Sequence, residues 1–205
     1  MKKVLSDRTR YITVVLENIY QPHNASAVLR SCDCFGVHEV HIIENSYAYE
    51  VNPQVALGSV QWLNLHRYNT AENNSASCIN DLKQDGYRIV AATPHAEALP
   101  IHDFDVKKGK FALLFGTERE GLSTEALSLA DDFIRIPMYG FTESLNISVS
   151  VSLCLFHFTG RIRKENTRWQ LNEEEKLDVH LHWLRNTVRN STLLEHKFYS
   201  MYHKQ

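Results

Sequence analysis

The chain has 205 residues, of which 43% are hydrophobic and 22% charged, with a formal net charge of −2. These values describe a folded domain with a sizeable core, not a disordered or low-complexity chain, and the slightly acidic balance does not announce a nucleic-acid binder. The four cysteines, Cys32, Cys34, Cys78 and Cys154, form no C-x-x-C pair, so a disulfide scaffold is excluded and a reduced cytoplasmic compartment is expected.

Thr13 to Asn18 reads as an apolar strand rich in β-branched residues. Gln21-Pro22-His23-Asn24 breaks it, and Asn24 has the side chain of an N-cap. Ala27, Val28, Cys32 and Phe35 then recur at helical spacing until Gly36. Val40 to Ile43 is a second strand and Leu63 to Tyr68 a third. Ala76 to Gln84 suits a helix. Arg88 to Ala92 reads as a buried strand before Thr93-Pro94, and Phe111 to Phe115 is a continuous apolar strand. Ser123 caps a helix through Ala130, and Phe133 to Pro137 is a further strand. Apolar strands alternating with helices predict an α/β fold, a mostly parallel sheet covered on both faces.

From Leu145 to Leu155, apolar residues alternate with Ser148, Ser150, Ser152 and Cys154. Period two favours a strand; a helix buried all round, packed closely through its serines, is the competing reading. After Gly160 the composition turns charged and aromatic, and Glu173 to His196 reads as an amphipathic helical tail. This suggests a main domain over residues 1–160 and a tail over 161–205. Asp7, Arg8 and Arg10 interrupt any signal-peptide core, and the apolar run from Val149 to Phe158 is too short to span a bilayer. Two basic clusters stand out, Lys2, Lys3, Arg8 and Arg10 at one end and Arg161, Arg163, Lys164 and Arg168 late in the chain. On charge alone both are solvated surface.

Several familiar sites are missing. Gly116 to Gly121 has the glycine spacing of a phosphate loop, but Leu122-Ser123 replaces the Lys-Ser/Thr that should follow. There is no G-x-G-x-x-G and no G-x-S-x-G. His38-Glu39-Val40-His41 has its histidines three apart rather than four, and His180 and His182 would not share a helix face. No metal is expected.

Three polar segments remain, each at the carboxyl end of a predicted strand, where open parallel sheets bind ligands. They are Asn24 with Arg30, Gly116-x-Glu118, and Ser144-Leu145-Asn146. Singly each has a structural reading as cap, surface ion pair or turn. Together they bring an amide, a guanidinium, a carboxylate and a hydroxyl to one sheet edge.

These segments resemble the three motifs of the SpoU (TrmH-like) branch of the SPOUT RNA methyltransferases. The first runs from Asn24 to Arg30 and on through Phe35-Gly36-Val37. The second is Phe115-Gly116-Thr117-Glu118-Arg119-Glu120-Gly121-Leu122. The third is Ile136-Pro137-Met138 followed by Ser144-Leu145-Asn146-Ile147-Ser148-Val149-Ser150. Order and spacing match from about Arg10 to about Gly160. Within the branch, Pro22-His23-Asn24 and Gly36 to His41 look closest to the members that act on guanosine in tRNA.

The resemblance implies a C-terminal deep trefoil knot, a homodimer, and a helix after Ser144-Leu145-Asn146, against the period-two reading. It implies S-adenosylmethionine as cofactor, held near Ala92, Thr93, Gly116, Ile136, Met138 and Leu145, and methylation of a ribose 2′-hydroxyl, with the D-loop guanosine(18) of tRNA as substrate. Arg30, Asn24, Glu118, Ser144 and Asn146 would be the catalytic set. Arg30 would clamp a phosphate or, in an unusually perturbed site, act as base. Arg8, Arg10 and Arg30 would contact RNA. The core motifs leave two rivals: the same chemistry on ribosomal RNA or another tRNA position, and a silent RNA-binding or assembly factor of the same fold.

Overall fold

The computed structural model describes residues 1–94, 97–165 and 167–202. Seven parallel strands form one sheet in the order β3-β2-β1-β6-β4-β7-β5. They are β1 (Ile12–Glu17), β2 (Glu39–Ile43), β3 (Asn64–Tyr68), β4 (Arg88–Ala92), β5 (Leu99–Pro100), β6 (Phe111–Phe115) and β7 (Asp132–Arg135). The helices are α1 (Lys2–Leu5), α2 (Pro22–Phe35), α3 (Pro53–Ala56), α4 (Asn74–Gln84), α5 (Thr124–Ser128), α6 (Ile147–Lys164), α7 (Glu173–Thr187) and α8 (Ser191–Tyr202). The two-residue β5 and the short α1 and α3 carry too little periodicity to be read in advance.

Strand alternation sends successive side chains to opposite faces. Ile12, Val14, Leu16, Phe111 and Leu113 pack with Val28, Leu29 and Cys32 of α2 and Val151, Leu155 and Phe158 of α6. Val15, Ala112 and Leu114 pack with Cys78, Ile79 and Leu82 of α4 and Ala126 of α5. The chain runs from β1 outward through β2 and β3, then crosses to β4 on the far side of β6. That reversal opens a crevice at the carboxyl ends of the central strands.

The structure sharpens the sequence reading in three places. After Ser144-Leu145-Asn146 the chain is helical, as the family resemblance implied and against the period-two pattern: α6 buries Ile147, Val151, Cys154, Leu155, Phe158 and Ile162, a 3.6-residue stripe. The alternation misled because serine and cysteine are small enough to lie inside a close helix–helix contact, as Ser152 does with its Oγ 2.8 Å from Ser31 Oγ. Gly160 lies inside α6, which runs on to Lys164, so the change in composition begins within the last turn of that helix. The tail is two helices, α7 and α8, divided after Thr187 and near Asn190, whose φ of 59° a continuing helix does not allow.

The tail packs back on the body. A capping box between Asn172 and Glu175 starts α7. Its Val179 and Trp183 bury against Leu5 and Leu171, and Trp183 Nε1 donates to the Trp62 carbonyl at 3.0 Å. Gly36 ends α2 with φ 80°, and a Cβ there would stand 2.4 Å from the Asp7 carbonyl oxygen, so only glycine lets the N-terminal segment pass.

Candidate active site

α2 begins at Pro22, whose fixed φ suits a first helical position, with Gln21 in the extended cap position. Asn24 is therefore inside the first turn and not the cap, and the expectation that it caps the helix is corrected. Its buried amide is used elsewhere. Asn24 Nδ2 donates to Gln21 Oε1 at 2.7 Å and to Glu118 Oε1 at 3.0 Å. Asn146 Nδ2 donates to the same Glu118 oxygen at 2.5 Å and to Asn24 Oδ1 at 3.2 Å. Asn146 Oδ1 caps α6, accepting from Ser148 N at 2.9 Å.

The first, second and third polar segments thus meet in a triangle of two amides and one carboxylate. Glu118 stands at the N-terminus of an 18-residue helix, where the aligned peptide dipoles favour a negative charge. Among the described residues its donors are all neutral, and no cation of the triangle matches its charge.

A cleft of about 360 Å³ opens beside the triangle. Ala92, Thr93, Gly116, Ile136, Met138 and Leu145, the residues expected to hold a cofactor, all line it. It sits at the carboxyl ends of β4, β6 and β7, three adjacent strands. Leu122, Leu127, Ile134 and Cys154 add apolar wall, and Glu118, Glu143 and Ser144 add polar groups. This composition fits a flat aromatic base with a polar, positively charged appendage. Thr117 and Gly121 exchange backbone hydrogen bonds at 3.0 Å, folding the loop after β6 back on itself. A Cβ on Gly116 would meet the Gly121 carbonyl oxygen at 2.0 Å, so the loop closes only over a glycine.

Arg30 is not brought to this cleft. It is exposed on α2, six residues beyond Asn24, and no hydrogen bond or ion pair holds it among the described residues. Ser144 lines the cleft and is exposed. Gln21 was not anticipated as a partner of Asn24; its place immediately before the Pro-started helix is the signal that would have found it. The buried Glu17 was also missed. It accepts from Ser123 N at 2.8 Å and Ser123 Oγ at 2.7 Å and from Ser75 Oγ, tying the end of the Gly116–Leu122 loop to β1.

The RNA contact expected of Arg8 is corrected. Arg8 is 2% exposed, pairs with Asp33, and lies 5.2 Å over the Trp183 ring. Buried there, it staples α2 to the tail. Arg10 is paired to Glu39 at 2.7 Å and to Glu175 at 3.8 Å. Arg161 and Arg163 are largely spent on the backbone carbonyls of Phe104, Asp7 and Phe35. Lys2, Lys3, Lys164 and Arg168 remain exposed.

A larger concavity, about 650 Å³, lies at the opposite, amino edge of the sheet. There Glu39 accepts from Arg10, from Asn64 at 2.7 Å and pairs with His66 at 2.6 Å. Burial works against its charge, but the His66 bond and the neighbouring His38 and Arg10 outweigh it and hold the carboxyl down at about 2. Burial also lowers His38 to about 4 and His41 to about 3, keeping both neutral. The charge of Glu39 is thus met within its own cluster, while His38 Nδ1 and His41 Nδ1 are buried with no hydrogen-bond partner among the described residues.

The profile of the SpoU rRNA methylase family matches residues 11–156. A tRNA (guanosine(18)-2′-O)-methyltransferase of Borreliella burgdorferi is 42% identical, over 95% of this chain and 87% of the relative. The crystal structure of the Aquifex aeolicus TrmH/SpoU tRNA modifying enzyme superposes with a TM-score of 0.80 at 26% identity, covering 92% of this chain and 95% of that one. The AdoMet-bound rRNA methyltransferase of Sinorhizobium meliloti shares the fold, with a TM-score of 0.63 at 22% identity over 76% of this chain and 58% of that one.

Proposed function

The chain belongs to the SpoU rRNA methylase family, and we propose that it methylates a ribose 2′-hydroxyl of RNA from S-adenosylmethionine, the target being the D-loop guanosine(18) of tRNA. The observation that carries this reading is the Asn24–Glu118–Asn146 triangle at the mouth of the cleft lined by all six expected cofactor residues. The tRNA assignment rests on the Borreliella relative, whose length the chain nearly spans.

When bound, S-adenosylmethionine supplies an electrophilic sulfonium methyl group. Ile136, Met138 and Leu145 would clasp the adenine, with backbone of Ala92 and Gly116 beside it. Glu118, fixed by two amides, keeps the cleft mouth in one geometry, which is the positioning that an in-line displacement requires. The exposed Ser144 hydroxyl lies on the cleft wall, in reach of an entering ribose. Arg30 clamps a phosphate of the target nucleotide bidentately, and that phosphate accepts the hydroxyl proton. A guanidinium stays protonated at neutral pH and suits the clamp better than the base.

Arg30 acts in this reading from the partner protomer of a homodimer. Its place away from the cleft of its own chain supports that, as does the exposed apolar stripe of Val149, Leu153 and Phe156 along α6, the helix bonded to α2 through Ser31 and Ser152. The return of the segment after β7 to the loop after β6, sealed at Asn146 and Glu118, supports the trefoil knot expected of the family.

Incubation with methyl-labelled S-adenosylmethionine and total RNA tests the reading. Label at one D-loop guanosine ribose of tRNA is the expected outcome. Label confined to ribosomal RNA would replace the substrate, and absence of label from a folded, RNA-binding protein would leave a binding factor.

A further inference from the structure

Two aromatic rings stand exposed beside the triangle with no role so far. Tyr20, 39% exposed, follows β1, and Tyr47, 49% exposed, follows β2. Their ring centroids lie 5.5 Å apart at an interplanar angle of 49°. β1 and β2 are adjacent parallel strands, so both rings emerge at the carboxyl edge that carries the cleft.

The pair is held in place by the fold. Asn18 adopts φ 56°, a left-handed conformation that asparagine tolerates better than other side chains. From there Asn18 Oδ1 accepts from Asn45 N and Ser46 N, both at 2.9 Å, locking the loop that bears Tyr47 to the one that bears Tyr20. Gln21 then joins the pair to the triangle: its Nε2 donates to Tyr20 Oη at 3.3 Å and its Oε1 accepts from Asn24. One side chain therefore separates the exposed rings from the amide that orients Glu118.

Large exposed aromatic faces, preset on the backbone at the mouth of a polar site, match the chemistry of an unstacked nucleobase. We propose that Tyr20 and Tyr47 form a stacking platform for an unpaired base of the RNA substrate next to the methylated nucleotide. This rests on the RNA reading above, and it adds residues that the three sequence motifs do not contain.

The test is equilibrium binding of fluorescently labelled tRNA, measured apart from turnover, for Tyr20→Ala, Tyr47→Ala and the matching Phe variants, with melting curves as a folding control. Each Ala variant is expected to weaken tRNA binding by about tenfold, the order of one lost base stack. The Phe variants, which keep the ring, should stay within about twofold of native on the same scale. KM for tRNA should rise more than kcat falls, and affinity for S-adenosylmethionine should not move. Asn18→Gly keeps the backbone conformation but loses the clamp, and should weaken binding by an intermediate amount. Native affinity in both Ala variants would overturn the platform while leaving methyl transfer intact. Weakened binding by the Ala variants of a protein that methylates nothing would instead keep the platform and remove the enzyme reading. Native tRNA binding alongside lost self-association would reassign the rings to a protein interface.

Discussion

The two edges of the sheet carry polar clusters of similar size that differ in how their charge is met. At the amino edge Glu39 is surrounded by Arg10, His66 and Asn64, and Arg10 is shared with Glu175. At the carboxyl edge the donors to Glu118 among the described residues are the amides of Asn24 and Asn146 and the α6 terminus, while Arg30, six residues after Asn24, is exposed with no ion pair among the described residues. A carboxylate whose charge is met by cations of its own cluster has little field left for a substrate. A carboxylate held by neutral donors, beside an open apolar cleft, keeps its field for whatever enters. We therefore propose the smaller cleft, and not the larger cavity, as the reactive one.

Exchange at Arg30 breaks this contrast most severely. Arg30→Lys keeps the charge but loses the planar fork, and turnover is expected to fall on the order of 100-fold or more. Affinity for S-adenosylmethionine, measured by calorimetry, should change little. Mixing Arg30→Ala with Glu118→Gln protein sharpens the point. If Arg30 serves its partner's cleft, half the randomly reassociated dimers are mixed, each with one intact site, and about a quarter of native activity returns. Recovery of no activity would place Arg30 and Glu118 in one subunit's site, and near-native turnover by both Arg30 variants would make it a structural residue.

Gly116→Ala is the next largest effect. The added methyl collides with the Gly121 carbonyl, and overpacking of this kind costs about 1–3 kcal/mol. Cofactor affinity should weaken by about tenfold or more as the loop is displaced. A native dissociation constant would show that the loop does not contact the cofactor.

The amino edge should respond to acid rather than to substrate. His38 and His41 have pKa values lowered by burial to about 4 and about 3, from an unfolded value of 6.5. Their neutral forms stabilise the fold fully above pH 6.5, and that contribution is lost as pH falls through the interval down to the folded values. Glu39, lowered to about 2 from 4.5, loses its contribution only below pH 4.5. The melting temperature should therefore fall between pH 6.5 and 4. His41→Phe, which keeps the stacking on His66 and Tyr68 without a buried ring nitrogen lacking a partner, should flatten that slope by a few degrees, since each pK unit is worth about 1.4 kcal/mol. An unaltered slope would assign the acid sensitivity to other groups.

Much of the frame was legible in the residues. The apolar strands over Val40–Ile43, Arg88–Ala92 and Phe111–Phe115 agree with β2, β4 and β6 to within a residue, because buried parallel strands must be apolar on both faces. Ser123 caps α5, accepting from Ala126 N at 3.1 Å, as its position implied. The three polar segments were visible as chemistry, and the six residues expected to hold a cofactor line one cleft.

Long-range geometry decided the rest. Nothing local distinguishes Arg8, buried against Asp33 and Trp183, from the exposed Lys2 and Lys3; that depends on where the tail helix returns. The period-two pattern from Leu145 to Leu155 is the same string in a strand or a helix, and the tertiary contact of Ser152 with Ser31 of α2 gives one of its small polar residues a place between helices. Asn24 has the chemistry of a cap, yet its amide is claimed by Glu118 and Asn146, 94 and 122 residues away in sequence. Local sequence sets which conformations and chemistries are open to a residue. Which one is used follows from partners that the chain brings together only when the sheet has formed, because hydrogen bonds and burial act over a few ångströms and are indifferent to sequence distance.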